Sequence, residues 1–120
     1  PGTNIASALE LAKKSFPESS PTNKAIVVIT DGEEHDGKAL EIANDLAEDK
    51  IRVNAISPGG VYNKNNPQSE EFILEYSIRN PMGRMANSDE ILGGIYYLAS
   101  DISSYTNGHN LIMDGGMSCW

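Results

Sequence analysis

Residues 51–60 read IRVNAISPGG, a short apolar run closed by one proline and two glycines. Ile51, Val53, Ala55 and Ile56 have the pattern of a buried strand. Ser57, Pro58, Gly59 and Gly60 end it at its carboxyl side, since proline brings no N–H to a ladder and glycine favours turns. Upstream, Ala39, Leu40, Ala43 and Ala47 recur at helical spacing and predict a helix that delivers the chain to Ile51. Ahead of that helix, Ala25–Ile29 is continuous, apolar and mostly β-branched, as expected of a central parallel strand covered on both faces. Still earlier, Ile5, Ala8, Leu9 and Ala12 mark a helix that Thr3 or Asn4 caps and Pro17 stops.

Downstream of Gly60, residues 62–68 are polar and rich in asparagine, so a loop is expected there. Phe72, Ile73 and Tyr76 suggest a short helix, and Asn80, Pro81, Met82 and Gly83 turn the chain. Asn87 with Glu90 three residues on resembles a capping box, followed by Ile91, Ile95, Leu98 and Ala99 as a buried helical face. Asn110–Met113 reads as a third strand, closed by Asp114, Gly115 and Gly116.

Strands alternating with helices predict an α/β fold: the three-layer half of a doubly wound, Rossmann-like architecture. Its three parallel strands lie in the order 1-2-3 with helices on both faces. Residues 1–120 are expected to form a single α/β domain, because 120 residues suffice for one core and are too few for two. The exposed sheet edge, together with the last helix and strand, is expected to make a homo-oligomer. A net charge of −8 repels polyanions, which argues against nucleic acid as a partner. No apolar run is long enough to span a membrane, and the lone Cys119 suits a reducing, cytoplasmic setting. Pro1 in place of an initiating methionine is expected of a processed or excised piece.

Two resemblances bear on function. GTNIASALELA and KAIVVITDGEEHDG, within residues 1–50, resemble a von Willebrand factor type A domain. That resemblance implies a divalent-metal site, with Thr3 matching the family's threonine ligand and Asp31 its aspartate. The Asp-x-Ser-x-Ser loop of that family is absent, and two protein ligands leave most of a magnesium octahedron to water, so weak binding is expected. The acidic stretch Asp31, Glu33, Glu34, His35 and Asp36 reads otherwise as a solvated loop.

Residues 51–120 resemble the C-terminal part of a short-chain dehydrogenase/reductase, through IRVNAISPGGVYN and NPMGRMANSDEILGGIYYLASDISSYTNGHNLIMDGG. The resemblance implies that Pro58, Gly59 and Val61 are vestiges of the turn that meets the nicotinamide of NAD(P). The glycine-rich pyrophosphate turn is absent from the sequence, and no tyrosine is followed four residues later by lysine, so no catalytic residue is assigned. The two resemblances meet near Ile51. The expectation is therefore a recombined or engineered scaffold without activity of its own, with no cofactor, or with NAD(P) or Mg2+ bound weakly. The alternatives are a fragment of an NAD(P)-dependent dehydrogenase and a partial metal-dependent type A module.

Overall fold

The computed structural model describes residues 5–17, 23–30 and 38–119. In chain order the elements are α1 (Ile5–Lys14), β1 (Lys24–Ile29), α2 (Lys38–Glu48), β2 (Ile51–Pro58), α3 (Glu70–Arg79), α4 (Ser88–Ala99) and β3 (Asn110–Met113). Short 3-10 turns at Asp101–Ser103 and Met117–Cys119 complete them. The three strands form one sheet in the order β1-β2-β3, parallel throughout, with Lys24 opposite Ile51 and Ile56 opposite Leu111. This is the α/β architecture expected from the sequence.

Strand β2 is the middle of the molecule because alternate side chains point to opposite faces of a sheet. Ile51 and Val53 face one way and meet Leu9 of α1 with Ala43 and Leu46 of α2. Ile56 faces the other way, into a second core with Ile91 and Leu98 of α4, and Leu111 and Met113 of β3 pack against it. Ile56 and Leu98 are fully buried, and Leu46 is 1% exposed. One strand therefore serves two cores, with Ile51 and Val53 on one face and Ile56 on the other, where Arg52 and Asn54 carry the polar contacts.

Several local readings are corrected. β1 pairs with β2 alone among the described residues and lies at the edge of this sheet; its residues are only half-buried and Ile29 is exposed, so it is not a central strand. On α2 the buried face runs through Ala43 and Leu46, while Ala47 is exposed; the side chains of Ala39 and Leu40 lie outside those described. On α4 the buried residues are Ile91, Gly94 and Leu98, whereas Ala99 is exposed. Met113 and Leu111 approach α4 so closely that a Cβ on Gly94 would lie 2.4 Å from the Met113 sulfur.

Polar side chains complete the ladder where β3 is short. Asn54, 2% exposed, donates to the Thr106 carbonyl and accepts the His109 N–H. The Asn107 side chain accepts the Val53 N–H, and Gly108 N–H donates to the Val53 carbonyl. The segment from Thr106 to His109 is thus fastened along β2 before β3 begins, as buried backbone groups require partners. Arg52, on the same face as Asn54, reaches α4 and donates to the carbonyls of Leu98 and Ser100 and to the Ser103 hydroxyl. These are the carbonyls that a helix leaves unpaired at its carboxyl end.

Candidate functional site

In an open parallel sheet the carboxyl ends of the strands face a crevice where ligands bind. Here β2 ends in Pro58, Gly59 and Gly60, and β3 ends in Asp114 and Gly115, so both turns open on the same side. Gly59 N–H donates to the Met113 carbonyl, which joins the two turns. Above them lies α3, started by the Ser69 hydroxyl, which accepts the Phe72 N–H, with Glu70 and Glu71 in its first turn. No residue of α3 is fully buried, and Phe72, Leu74 and Ile78 are exposed.

Two side chains at the end of α3 tie it to the sheet. The Tyr76 hydroxyl accepts the Gly60 N–H at 2.6 Å. Asn80, 5% exposed, donates to the Asp114 carbonyl at 2.7 Å while its oxygen accepts the Met82 N–H at 2.9 Å. Gly115 has φ +68°, and a Cβ there would lie 2.5 Å from the Asn80 oxygen, so both conformation and space call for glycine. Asp114 caps the following turn: its carboxylate accepts the N–H groups of Gly116 and Ser118 at 2.9 and 2.7 Å. The hydrogen bond from the Ser118 side chain is the largest influence holding its pKa below the ordinary carboxylate value.

These contacts enclose a cleft of about 190 Å³ between the strand ends, α3 and the start of α4. Arg84 and Glu90 stand at its rim as a bidentate pair, 2.8 and 2.7 Å, and Arg84 also donates to the Met85 carbonyl at 3.0 Å. Glu90 further accepts the Asn87 N–H at 2.8 Å, the side-chain half of the capping box expected at that position. Its pKa is lowered to about 2, chiefly by the Arg84 guanidinium and next by the Asn87 N–H.

Of the residues singled out from the sequence, Gly59 lines this cleft, and Pro58 and Val61 flank it in the same turn. Thr3 and Asp31, with the acidic stretch 33–36, lie outside the described residues. Among the described residues no group of three or more His, Cys, Asp or Glu side chains is placed to hold a metal. Gly59 is filled by the protein itself: a Cβ would lie 2.8 Å from both the Asp114 Cα and the Tyr76 hydroxyl. Gly60 likewise receives the Tyr76 ring, 2.7 Å from a notional Cβ. Val61 is different, for among the described residues no group accepts its N–H, while its carbonyl accepts the Gln68 side-chain amide at 3.0 Å. The turn therefore offers one main-chain donor, at the end of the middle strand, and this fits the carboxamide end of a nicotinamide. Tyr76 and Asn80 were read from the sequence only as helix and turn residues.

Residues 37–118 match the family model described as enoyl-(acyl carrier protein) reductase. The D-arabinitol 2-dehydrogenase (ribulose-forming) of Candida tropicalis is 46% identical over 90 residues, covering 68% of this chain and 31% of that protein. The uncharacterized oxidoreductase YhdF of Bacillus subtilis strain 168 is 31% identical, with 95% of this chain and 45% of that one covered. Among solved structures, a short-chain dehydrogenase/reductase from Serratia marcescens BCRC 10948 superposes with a TM-score of 0.73 at 26% identity, covering 93% of this chain and 53% of its own. The gluconate 5-dehydrogenase of Burkholderia cenocepacia J2315 in complex with NADP and tartrate gives 0.67 at 25% identity, covering 80% and 45%. A short-chain dehydrogenase from Leptospira borgpetersenii with bound NAD+ gives 0.67 at 28%, covering 92% and 48%.

The chain belongs to the short-chain dehydrogenase/reductase family. It spans about a third of the length of the D-arabinitol 2-dehydrogenase that it matches, and about half of the Serratia marcescens structure. Two expectations fall with these findings. The family match begins at residue 37, ahead of the supposed join at Ile51, and a relative that reaches 95% of the chain is named an oxidoreductase, so a type A segment and a recombined scaffold find no support. The expectation of no cofactor is overturned as well, since related structures hold NADP and NAD+.

Proposed function

We propose that these residues serve in an NAD(P)-dependent oxidoreductase acting on an alcohol or the corresponding ketone, and that Pro58, Gly59 and Val61 form its nicotinamide-side turn. The Val61 N–H just beyond the carboxyl end of β2, which has no acceptor among the described residues, carries this reading. When bound, the nicotinamide supplies the hydride donor or acceptor. Its carboxamide would be held by the Val61 N–H, which would orient the ring, while the Gln68 side-chain amide holds the Val61 carbonyl. Gly59, whose N–H is held by Met113, keeps the turn rigid, and α3 covers it from water through Tyr76. A proton donor for the reaction is not among the residues assigned here.

The same reading treats residues 1–120 as one α/β unit, since both cores share β2, and places it in the cytoplasm. Among the described residues no helix is long and apolar enough to cross a membrane. Self-association would use the last helix and strand, where Tyr96 and Ile112 are exposed, or the β1 edge. The cofactor reading is tested by titrating the 15N-labelled 120-residue chain with NADH and NADPH. A saturable shift at the Val61 amide, larger than at Ile51 or Val53, is expected; the absence of any response at Val61 up to millimolar cofactor would refute it.

A further inference from the structure

We propose that Asn107 and Gly108 form a self-modifying site: the asparagine side chain deamidates through a succinimide when the segment from Thr106 to His109 opens from β2, and the product unfastens β3. Asn107 is the one asparagine of the sequence that a glycine follows. The reaction needs the main-chain nitrogen of the next residue to reach the side-chain Cγ, and glycine brings no side chain to obstruct it. Both residues are exposed, and a Cβ on Gly108 would meet nothing within 4 Å, so water and hydroxide reach the pair. The Gly108 nitrogen loses its proton to hydroxide and attacks the Asn107 Cγ. The N–Cγ bond forms, the Cγ–Nδ2 bond breaks, and Nδ2 leaves as ammonia with a proton taken from water. Water then adds to either carbonyl of the ring. One opening leaves aspartate; the other leaves isoaspartate, in which the main chain runs through Cβ and Cγ and is longer by one methylene.

In the closed structure both reacting groups are occupied. Gly108 N–H donates to the Val53 carbonyl at 2.8 Å, which covers the proton that must leave, and the Asn107 oxygen accepts the Val53 N–H at 2.8 Å, which holds the side chain to β2. Asn54, 2% exposed, clamps both flanks: it donates to the Thr106 carbonyl at 2.9 Å and accepts the His109 N–H at 3.0 Å. Reaction therefore requires a local opening that breaks these bonds together, and its rate is the open fraction multiplied by the rate in a free chain. The two products differ in what they leave. Aspartate still offers an oxygen to the Val53 N–H. Isoaspartate displaces all that follows by a methylene, so Gly108 N–H and the His109 carbonyl, which accepts the Ala55 N–H at 2.8 Å, lose their register on β2. β3 follows directly, and its Met113 carbonyl accepts the Gly59 N–H, so the modification reaches the crevice.

The test incubates the 120-residue chain in mildly alkaline buffer, folded or in guanidinium chloride, and follows the amide-to-acid mass gain at each asparagine by mass spectrometry after proteolysis. Asn107 is expected to react first in the unfolded chain and at least about tenfold more slowly in the folded one, which corresponds to a local opening of about 1.4 kcal/mol or more. The slowing should match, within about threefold, the protection of the Gly108 amide against hydrogen exchange. Asn54→Ser, checked for folding by circular dichroism, should accelerate the folded reaction; the comparison of the unsubstituted chain with and without denaturant decides the question whether or not that variant folds. The isoaspartate product, separated by chromatography, should exchange faster at Gly108 and Ala55 and shift the Gly59 amide, whereas Asn107→Asp should keep all three close to the unsubstituted chain. Equal rates in the folded and unfolded chains, faster reaction at another asparagine in denaturant, a folded rate above what Gly108 exchange allows, or an isoaspartate product with unchanged protection at Gly108 and Ala55 would each overturn the proposal.

Discussion

Replacing Arg52 by methionine tests how β2 closes the end of α4. Methionine keeps an unbranched stem against the same surroundings and removes the three hydrogen bonds of the guanidinium, at 2.9, 2.9 and 3.0 Å. Their worth does not add up threefold, because the Ser103 hydroxyl also lies within reach of the Leu98 and Ser100 carbonyls, at 3.1 and 3.0 Å. The Ser100 carbonyl also accepts the Ser103 N–H at 3.3 Å and the hydroxyl can serve Leu98, so the substitution removes the charged donor from both carbonyls without leaving either bare. A hydrogen bond to a charged group contributes roughly 1.5–3 kcal/mol, and a cation at a helix carboxyl end adds about 0.3–1 kcal/mol. Because Arg52 is only half-buried, water recovers part of this, and a loss of about 2 kcal/mol is expected. At roughly 3–5 °C per kcal/mol for a chain of this size, Tm should fall by about 6–10 °C. Urea denaturation followed by circular dichroism, with unchanged m, measures the loss. A double-mutant cycle with Ser103→Ala should show a coupling of about 1 kcal/mol, since both side chains act on the same carbonyls. A change below about 0.5 kcal/mol in Arg52→Met, or strict additivity in the cycle, would refute the view that Arg52 terminates α4.

Adjacent glycines on α4 should respond in opposite directions. Gly93→Ala meets nothing within 4 Å and should stabilise by about 0.5–1 kcal/mol, whereas Gly94→Ala drives a methyl into Met113 and should destabilise by about 1–3 kcal/mol; thermal melts of the two variants decide it. Lys50 has φ +59° between α2 and β2, so Lys50→Gly should raise stability in urea by about 0.5–1 kcal/mol. Glu90 has a pKa of about 2 when folded, below its ordinary 4.5, so its contribution is complete above the ordinary value and is lost as pH falls toward 2. Acid titration of stability should therefore decline less steeply between these limits in Glu90→Gln than in the unsubstituted chain.

The sheet was legible because its signals are local. Ala25–Ile29, Ile51–Ile56 and Asn110–Met113 are short apolar runs bounded by turn residues, and helical stripes lie between them. The strand order was legible too, and with it the sheet edge; what misled was the apolar run Ala25–Ile29, which reads as covered on both faces although the strand is only half-buried. The helix faces were read correctly at Leu9, Ile91 and Leu98, and failed at Ala47 and Ala99, since alanine satisfies an apolar pattern on either side of a helix. Gly94 was missed because a residue without a side chain gives no sign of the methionine that packs on it. The turn residues Pro58, Gly59 and Val61 were found through resemblance to a family. Tyr76 and Asn80 carry no such mark: their partners, Gly60 and Asp114, are distant in sequence, and no period links a phenol or an amide to a backbone group on another element.

The placement of β2 between two neighbours also sets an order of assembly. β1 and β2 are joined by residues 30–50, β2 and β3 by residues 59–109, so the second connection is more than twice as long. Closing it costs roughly 0.8 kcal/mol more chain entropy, as each doubling of a loop adds about 0.6 kcal/mol. β3 also offers fewer paired positions in return, four against six. The first pair, with α2 packed across it, is thus the favoured nucleus, and the crevice forms in the later step. Substitutions in the Ile26–Val53 region should slow refolding, whereas those around Leu111 and Met113 should chiefly accelerate unfolding.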